Sequence, residues 1–365
     1  MGSAARFPSV ILTLQNVLGI YCQSKERLPL LSNLKHLAQS LGLSITTVSR
    51  ALDGYPDVAP TTRERVQAAA RAMNYRPNPA ARSLRRRKAE AVAVTLPTEP
   101  GRFGPPIFLN MLAACGQRLA EEGLDLMLLP TAGRAGEMDT YRRLLDGRRA
   151  DAVIVVRTRL EDERVAFLKE RGIPFVTHGR TARPDEHAFI DGDGEAGFRD
   201  AARHLSASGH RRIAHIAAPQ DLTFAHLRRK GWLAALDEVG SSDRLEYTAQ
   251  PTEAGGYEAA QWLLRQSAPP TALLCATDSM AIGALSALKE RGFTAGREIA
   301  VIGHDNLPSA AFTDPPLSSM EIAAPDVGRQ LAEMLIARLG GRDARELQTI
   351  LPVRQVPRAT HGPAN

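Results

Sequence analysis

Cysteine is scarce in this chain: 365 residues carry three, Cys22, Cys115 and Cys275. They are too few and too scattered for a disulfide framework, and no C-x-x-C or Cys/His cluster offers metal-ligand spacing. No metal or other cofactor is therefore expected, and a reducing cytoplasm fits. Catalytic signatures are equally lacking. There is no G-x-S-x-G, no Walker motif, no H-E-x-x-H and no Cys/His pair arranged as nucleophile and base, so no catalytic residue is assigned and the expectation is a non-enzyme. His178, His204, His210, His215 and His304 read as packing, capping or pocket polar groups. Long apolar runs are missing too. The nearest, "FPSVILTLQNVLGIYC", is interrupted by Pro8, Gln15 and Asn16, and Tyr21 is too large for a signal-peptide cleavage site, so no membrane partner is expected. No internal repeat or low-complexity tract is visible.

What is present is a chain too long for one ordinary domain, with 44% apolar residues, enough for sizeable cores. The net charge is +6, but residues 1–89 hold 14 Lys/Arg against 4 Asp/Glu, which leaves the rest of the chain mildly acidic. A basic head on an acidic body points to a polyanionic partner for the head alone.

Within that head, "NLKHLAQSLGLSITTVSRALDGYP" has two helical patterns. Leu34, Leu37, Ala38 and Leu41 share one face, Gly42 supplies a turn, and Ser44 can cap a second helix. A third helix is expected from Thr61, where "TTRE" offers a capping box with Glu64 and Val66, Ala69, Ala70 and Met73 form the apolar stripe. This is helix-turn-helix spacing. On the second helix Ile45, Thr46 and Arg50 suit base edges in a groove, Ser44, Thr47 and Ser49 suit the phosphate backbone, and Val48, Ala51 and Leu52 suit the core.

From Glu90 onward, "AVAVTL", "LDLMLLP", "AVIVV", "PFVTH", "RIAHIAA", "TALLCA" and "IAVIGHD" are short apolar runs, most of them separated by amphipathic stretches of helical length. That alternation predicts parallel sheets covered by helices, with ligands bound beyond the carboxyl ends of strands. Polar groups cluster at such ends: Arg157 and Thr158, Asp191 and Asp193, Thr277 and Asp278, and His304, Asp305 and Asn306. Carboxylates there can accept from sugar hydroxyls, and Arg228 in "HLRRKGW" can donate to two hydroxyls at once. Asp278 is expected to cap the following helix instead. Gly192, Gly194 and Gly197 spell G-x-G-x-x-G, but Asp193 inside the turn would repel a pyrophosphate, and the stretch lacks the glycine and glutamate of a calcium loop.

Together these stretches resemble the LacI/GalR family of bacterial repressors. The resemblance is carried by "LAQSLGLSITTVSRALDG" and "TRERVQAAARAMNYRPNPAARSL" in the head, and by "RRKGW", "TDSMAIGAL", "VIGHDN" and "PPLSSM" in the body. It implies an N-terminal all-α helix-turn-helix head (33–89) ending in a hinge helix, Pro79 to Leu84, with Asn78, Ala81 and Leu84 on DNA and Leu84 wedged into the minor groove. It further implies a two-lobed, periplasmic-binding-protein-like α/β effector domain (90–358). Lobe one would span about 90–206 and 322–340, and lobe two about 207–321 and 341–358. Asp193, Arg228 and Asp305 fall on effector-contact positions, Arg157 is added as pocket lining, and Thr277 stands where many members place Asn.

The partners implied are palindromic double-stranded operator DNA, a small carbohydrate effector and a second copy of the chain. "VVRTR", "PFVTHGRT" and "HLRRKGW" look like α-glucoside-utilisation repressors, which makes sucrose, trehalose or maltose the first choice. A free-standing sugar-binding protein would need a cleaved signal and no basic head. A sugar- or nucleotide-using enzyme would need a base and a phosphate loop. With no leucine heptads near the end, a dimer and no tetramer is expected. Residues 1–32 lie outside the resemblance and are expected to be an unstructured extension, or upstream sequence with the true start near Leu31 or Asn33. Residues 359–365 are expected to be a tail.

Overall fold

The computed structural model describes residues 33–75, 88–97, 106–131 and 133–363, which fall into two compact units divided after Arg87. The expectations for residues 1–32 and for the hinge residues Asn78, Ala81 and Leu84 lie outside the described residues.

In the first unit, α1 (Leu34–Leu41), α2 (Ile45–Leu52) and α3 (Pro60–Ala72) share one small core of Leu37, Ala38, Val48, Ala51, Val58, Val66 and Ala70. Asn33 caps α1 by accepting from the His36 N–H. Gly42, at φ 64°, makes the turn that a Cβ would strain. The expected capping box on α3 is not formed. The helix starts one residue earlier, at Pro60, whose fixed φ suits a first helical position, and Ala59 before it makes no side-chain cap.

In the second unit the apolar runs become strands. β1 (Ala91–Pro97), α4 (Pro106–Glu121), β2 (Asp125–Thr131), α5 (Gly133–Asp146), β3 (Ala152–Val155), α6 (Glu163–Glu170), β4 (Phe175–His178) and β5 (Phe189–Gly192) build the first lobe. After them come α7 (Gly194–Ala207), β6 (Ile213–Ala217), α8 (Thr223–Glu238), β7 (Glu246–Thr248), α9 (Glu253–Leu263), β8 (Ala272–Cys275), α10 (Asp278–Glu290), β9 (Ala300–Ile302) and β10 (Ser319–Glu321). The chain then returns through α11 (Ala324–Leu339), β11 (Gln348–Leu351) and β12 (Arg354–Val356).

The first sheet runs β11-β5-β4-β3-β1-β2 and the second β7-β6-β8-β9, all parallel, while β10 and β12 form an antiparallel pair. Two of the expected lobe assignments change. Residues 348–351 extend the first sheet by pairing with β5, so they leave lobe two. Helix α7 leaves lobe one: its Phe198, Ala201, Ala202 and Leu205 pack with Ile213, Trp232 and Leu274 of lobe two. The chain therefore crosses between lobes near Gly192–Gly194, near Ile322 and near Val353, and Gly192 faces both Ile322 and Val353.

Helix pairs cover the sheets at close range. Gly328 of α11 lies against the Met111 carbonyl of α4, and Gly283 of α10 against the Glu253 carbonyl of α9, with no room for a Cβ at either crossing. The start of the expected tail is packed: Thr360 is fully buried, its carbonyl accepts from the Val301 N–H at 2.6 Å, and its hydroxyl donates to the Val301 carbonyl at 2.6 Å. Among the described residues no helix is long and apolar enough to cross a membrane.

Candidate functional site

A cavity of about 400 Å³ opens between the lobes at the carboxyl ends of the strands, in the size range of small-molecule sites. Arg157, Arg228, Thr277 and Asp305 line it as the sequence suggests, and so do Thr158 and His304. Ile107, Phe108 and Met111 of α4 and Phe224 and Leu227 of α8 supply apolar wall. Apolar side chains share the lining with about as many polar and charged ones.

On the lobe-two wall Asp305 follows β9 with φ 112°, a strained backbone that aims its carboxylate into the cleft. Its Oδ1 lies 2.9 Å from His304 Nδ1 and 3.8 Å from Arg228 Nη2. Arg228 also donates to the Ala276 carbonyl, and its guanidinium lies 4.8 Å from the Phe224 ring centroid, so three contacts fix its plane. Burial lowers the pKa of both His304 and His178, which holds these imidazoles neutral at pH 7. His304 Nε2 and Arg228 Nε are buried with no partner in the protein; with Nδ1 given to Asp305, the neutral imidazole leaves Nε2 as an acceptor, while Arg228 Nε is a donor.

The lobe-one wall differs from the sequence expectation in one carboxylate. Asp193 falls between the last residue of β5 and the first of α7, where a side chain folds back on the helix. It accepts from the Ala196 N–H at 3.1 Å as the N-cap of α7 and does not line the cleft. Asp191 does. Its Oδ2 accepts from Arg180 Nε at 2.8 Å and from the Arg180 N–H at 3.2 Å. The signal was present as the other aspartate of "DGD", two residues earlier.

Thr277 keeps its expected place in the cleft and also takes the cap expected of Asp278. Thr277 lines the cleft and caps α10, accepting from the Met280 N–H. Asp278 is fully buried one residue into the helix. It accepts from Ser319 Oγ at 2.6 Å and the Leu307 N–H at 2.8 Å, tying α10 to the loop that carries Asp305. Arg157 holds φ 52° at the end of β3, and its carbonyl accepts from the buried Arg164 guanidinium at 3.1 Å. Sequence reasoning missed Arg164, because a cation inside α6 looks like any surface arginine. Among the described residues no group of three or more His, Cys, Asp or Glu side chains could hold a metal ion.

In the head, Ile45 and Thr46 are exposed on the first turn of α2, and Ile45 keeps 48% of its surface. Ser44 caps the helix, with its oxygen 3.0 Å from the Thr47 N–H and 2.8 Å from Thr47 Oγ1. Ser49, expected at the phosphate backbone, is instead buried beside Val48 in the head, because three helices close over that face. Arg50 lies 2.6 Å from Asp57 and 4.4 Å from the Tyr55 ring centroid.

A basic helix-turn-helix head ahead of a two-lobed ligand cleft defines a DNA-binding transcription regulator. Residues 33–78 match the model of bacterial regulatory proteins of the lacI family, and residues 202–361 match a periplasmic binding protein-like domain. The HTH-type transcriptional regulator AglR of Rhizobium meliloti is 38% identical over 339 residues, 91% of this chain and 95% of AglR. RafR of Escherichia coli is 36% identical over 335 residues, 91% of this chain and 99% of RafR. The lac repressor dimer bound to operator and the anti-inducer ONPF superposes with a TM-score of 0.80 at 25% identity, covering 90% of this chain and 99% of that one. The CelR–cellobiose complex gives 0.70 at 28%, with the same two coverages. The chain belongs to the LacI family of transcriptional regulators.

Proposed function

We propose that this protein is a repressor whose grip on palindromic operator DNA is set by a small carbohydrate, an α-glucoside such as sucrose, trehalose or maltose. The observation that carries the reading is the cleft wall itself: Asp305 oriented by His304 and Arg228 beside Phe224, a donor and acceptor set suited to vicinal hydroxyls next to an apolar ring face. The cellobiose complex of CelR, a relative of the same architecture, supports the ligand class. Arg157, Asp191, Arg228, Thr277 and Asp305 are the proposed effector contacts. Ser44, Ile45, Thr46, Thr47 and Arg50, with Asn78, Ala81 and Leu84, are the proposed DNA contacts, while buried Ser49 and the helix cap Asp193 are left out of both sets.

A palindromic site calls for a two-fold pair of chains. The exposed outer edge of β2 supports one: Leu128 and, on α4, Leu109 keep 37% and 44% of their surface, and no described strand pairs with that edge. Closure of the lobes around a sugar would shift the paired first lobes and with them the heads. Operator affinity and sugar affinity then change reciprocally.

The test is a gel-shift titration of the full chain on operators selected from a palindromic library, with and without each sugar. Release by one α-glucoside supports the reading, and DNA binding that no sugar alters contradicts it.

A further inference from the structure

The cleft presents two carboxylates from opposite lobes in the same way. Asp191 is held through Oδ2 by two donors of Arg180, and Asp305 through Oδ1 by His304 and Arg228. In both, one oxygen is engaged and the other has no protein donor among the described residues. Each carboxylate is thus an oriented, one-sided acceptor that can take an O–H from a ligand. The charges around the cleft point the same way. Three carboxylates, Asp191, Glu253 and Asp305, line it against two arginines, Arg157 and Arg228, while His178 and His304 are neutral. Arg228 is matched to Asp305, and Arg180, behind the wall, to Asp191.

Resting on the carbohydrate reading above, we propose that the cleft selects an uncharged, non-phosphorylated sugar and excludes sugar phosphates. Asp191 is the lobe-one residue that sets this choice, and Arg180 is its positioning residue. A phosphoryl group entering between the walls meets two carboxylates whose counter-cations, Arg180 and Arg228, are already engaged. A hydroxyl meets both needs at once: it donates to the open carboxylate oxygen and accepts from the Arg228 guanidinium without adding charge.

The experiment is isothermal titration calorimetry of the full-length protein with matched pairs, trehalose against trehalose 6-phosphate and sucrose against sucrose 6-phosphate, at two salt concentrations. The neutral member of a pair should bind at least tenfold more tightly than its phosphate, with an affinity that salt does not alter. Asp191→Asn, whose unliganded melting curve checks folding, should lose at least tenfold in neutral-sugar affinity and narrow the gap to the phosphate. Arg180→Lys should lose less than Asp191→Asn. A phosphate that binds wild type as tightly as the neutral sugar, or more tightly, overturns the selection and leaves the carbohydrate reading standing. Failure of both members of every pair to bind removes that reading and the selection with it. Unchanged neutral-sugar affinity in Asp191→Asn overturns the role of Asp191.

Discussion

Arg164 and Glu137 form an ion pair inside the protein: Nη1 lies 2.7 Å from Oε1, and the two side chains keep 1% and 2% of their surface. Glu137 also holds Arg159 at 2.9 Å, Asp162 takes the other side of the Arg164 guanidinium at 2.6 Å, and the same guanidinium donates to the carbonyls of Val156 and Arg157. A buried cation with five donors thus shapes the turn that delivers Arg157 and Thr158 to the cleft.

Removing one partner leaves the rest of that network charged and buried. Glu137→Gln should lower stability by about 3–5 kcal/mol, and Arg164→Lys should lower it too, since a point charge cannot replace a planar fork. Chemical denaturation followed by circular dichroism checks both. A midpoint equal to wild type in Glu137→Gln would show that the network carries no stability.

On α2, Arg50 is engaged by Asp57, which holds the guanidinium above its usual pKa through their hydrogen bond. DNA contact must exchange that partner for a base or phosphate. Arg50→Ala should weaken operator binding roughly tenfold or more. Asp57→Asn should strengthen it, because the competing carboxylate and its repulsion of phosphate are both gone. Gel-shift titrations in which Asp57→Asn binds more weakly than wild type would assign Asp57 to positioning Arg50 on DNA.

Acidity acts on the second unit through two buried groups with opposite signs. Burial, then the charge of Asp305, raises the Asp278 carboxyl to about 7, while burial lowers His215 to about 4. A carboxyl raised on folding contributes stability that is complete below its unfolded pKa, near 3.8, and is lost as pH rises through 7. A histidine lowered on folding contributes stability that is complete above 6.5 and is lost as pH falls toward 4. Between pH 4 and 6.5 the two slopes oppose each other. Asp278→Asn removes one of them, so its melting temperature should fall more steeply than that of wild type as pH drops through this window. Scanning calorimetry at half-unit intervals checks this, and parallel curves would contradict it.

The seven apolar runs noted in the sequence became β1, β2, β3, β4, β6, β8 and β9; all but the half-exposed edge strand β2 sit inside a sheet covered on both faces, where continuous Val, Ile, Leu and Ala runs have few stable alternatives. Strands β7, β10 and β12 have three residues each and β11 has four, with half-exposed polar positions, too short to show a period. The strand ends that form the cleft were legible for the same reason as the strands. Which of two neighbouring side chains faces it was not. Asp191 against Asp193, and Thr277 against Asp278, are settled by where the strand stops and the helix turns, a boundary of one residue that propensity does not resolve. Buried Arg164 and Ser49 were illegible because their surroundings come from elements far along the chain or from the closing of three helices.

The interleaving of the lobes also orders events in time. The apolar face of β1, β3 and β4 is covered partly by Val327, Leu331 and Leu335 of α11, and the sheet gains its outer strand only with β11. A ribosome must therefore synthesise all of β6 to β10 before the first lobe can close, so a nascent chain carries an open half-lobe while the second is being made. The head, whose three helices lie within residues 34–72, needs nothing downstream for its core and is free to fold first. In a growing chain, the part proposed to touch DNA is complete before the part proposed to sense the sugar.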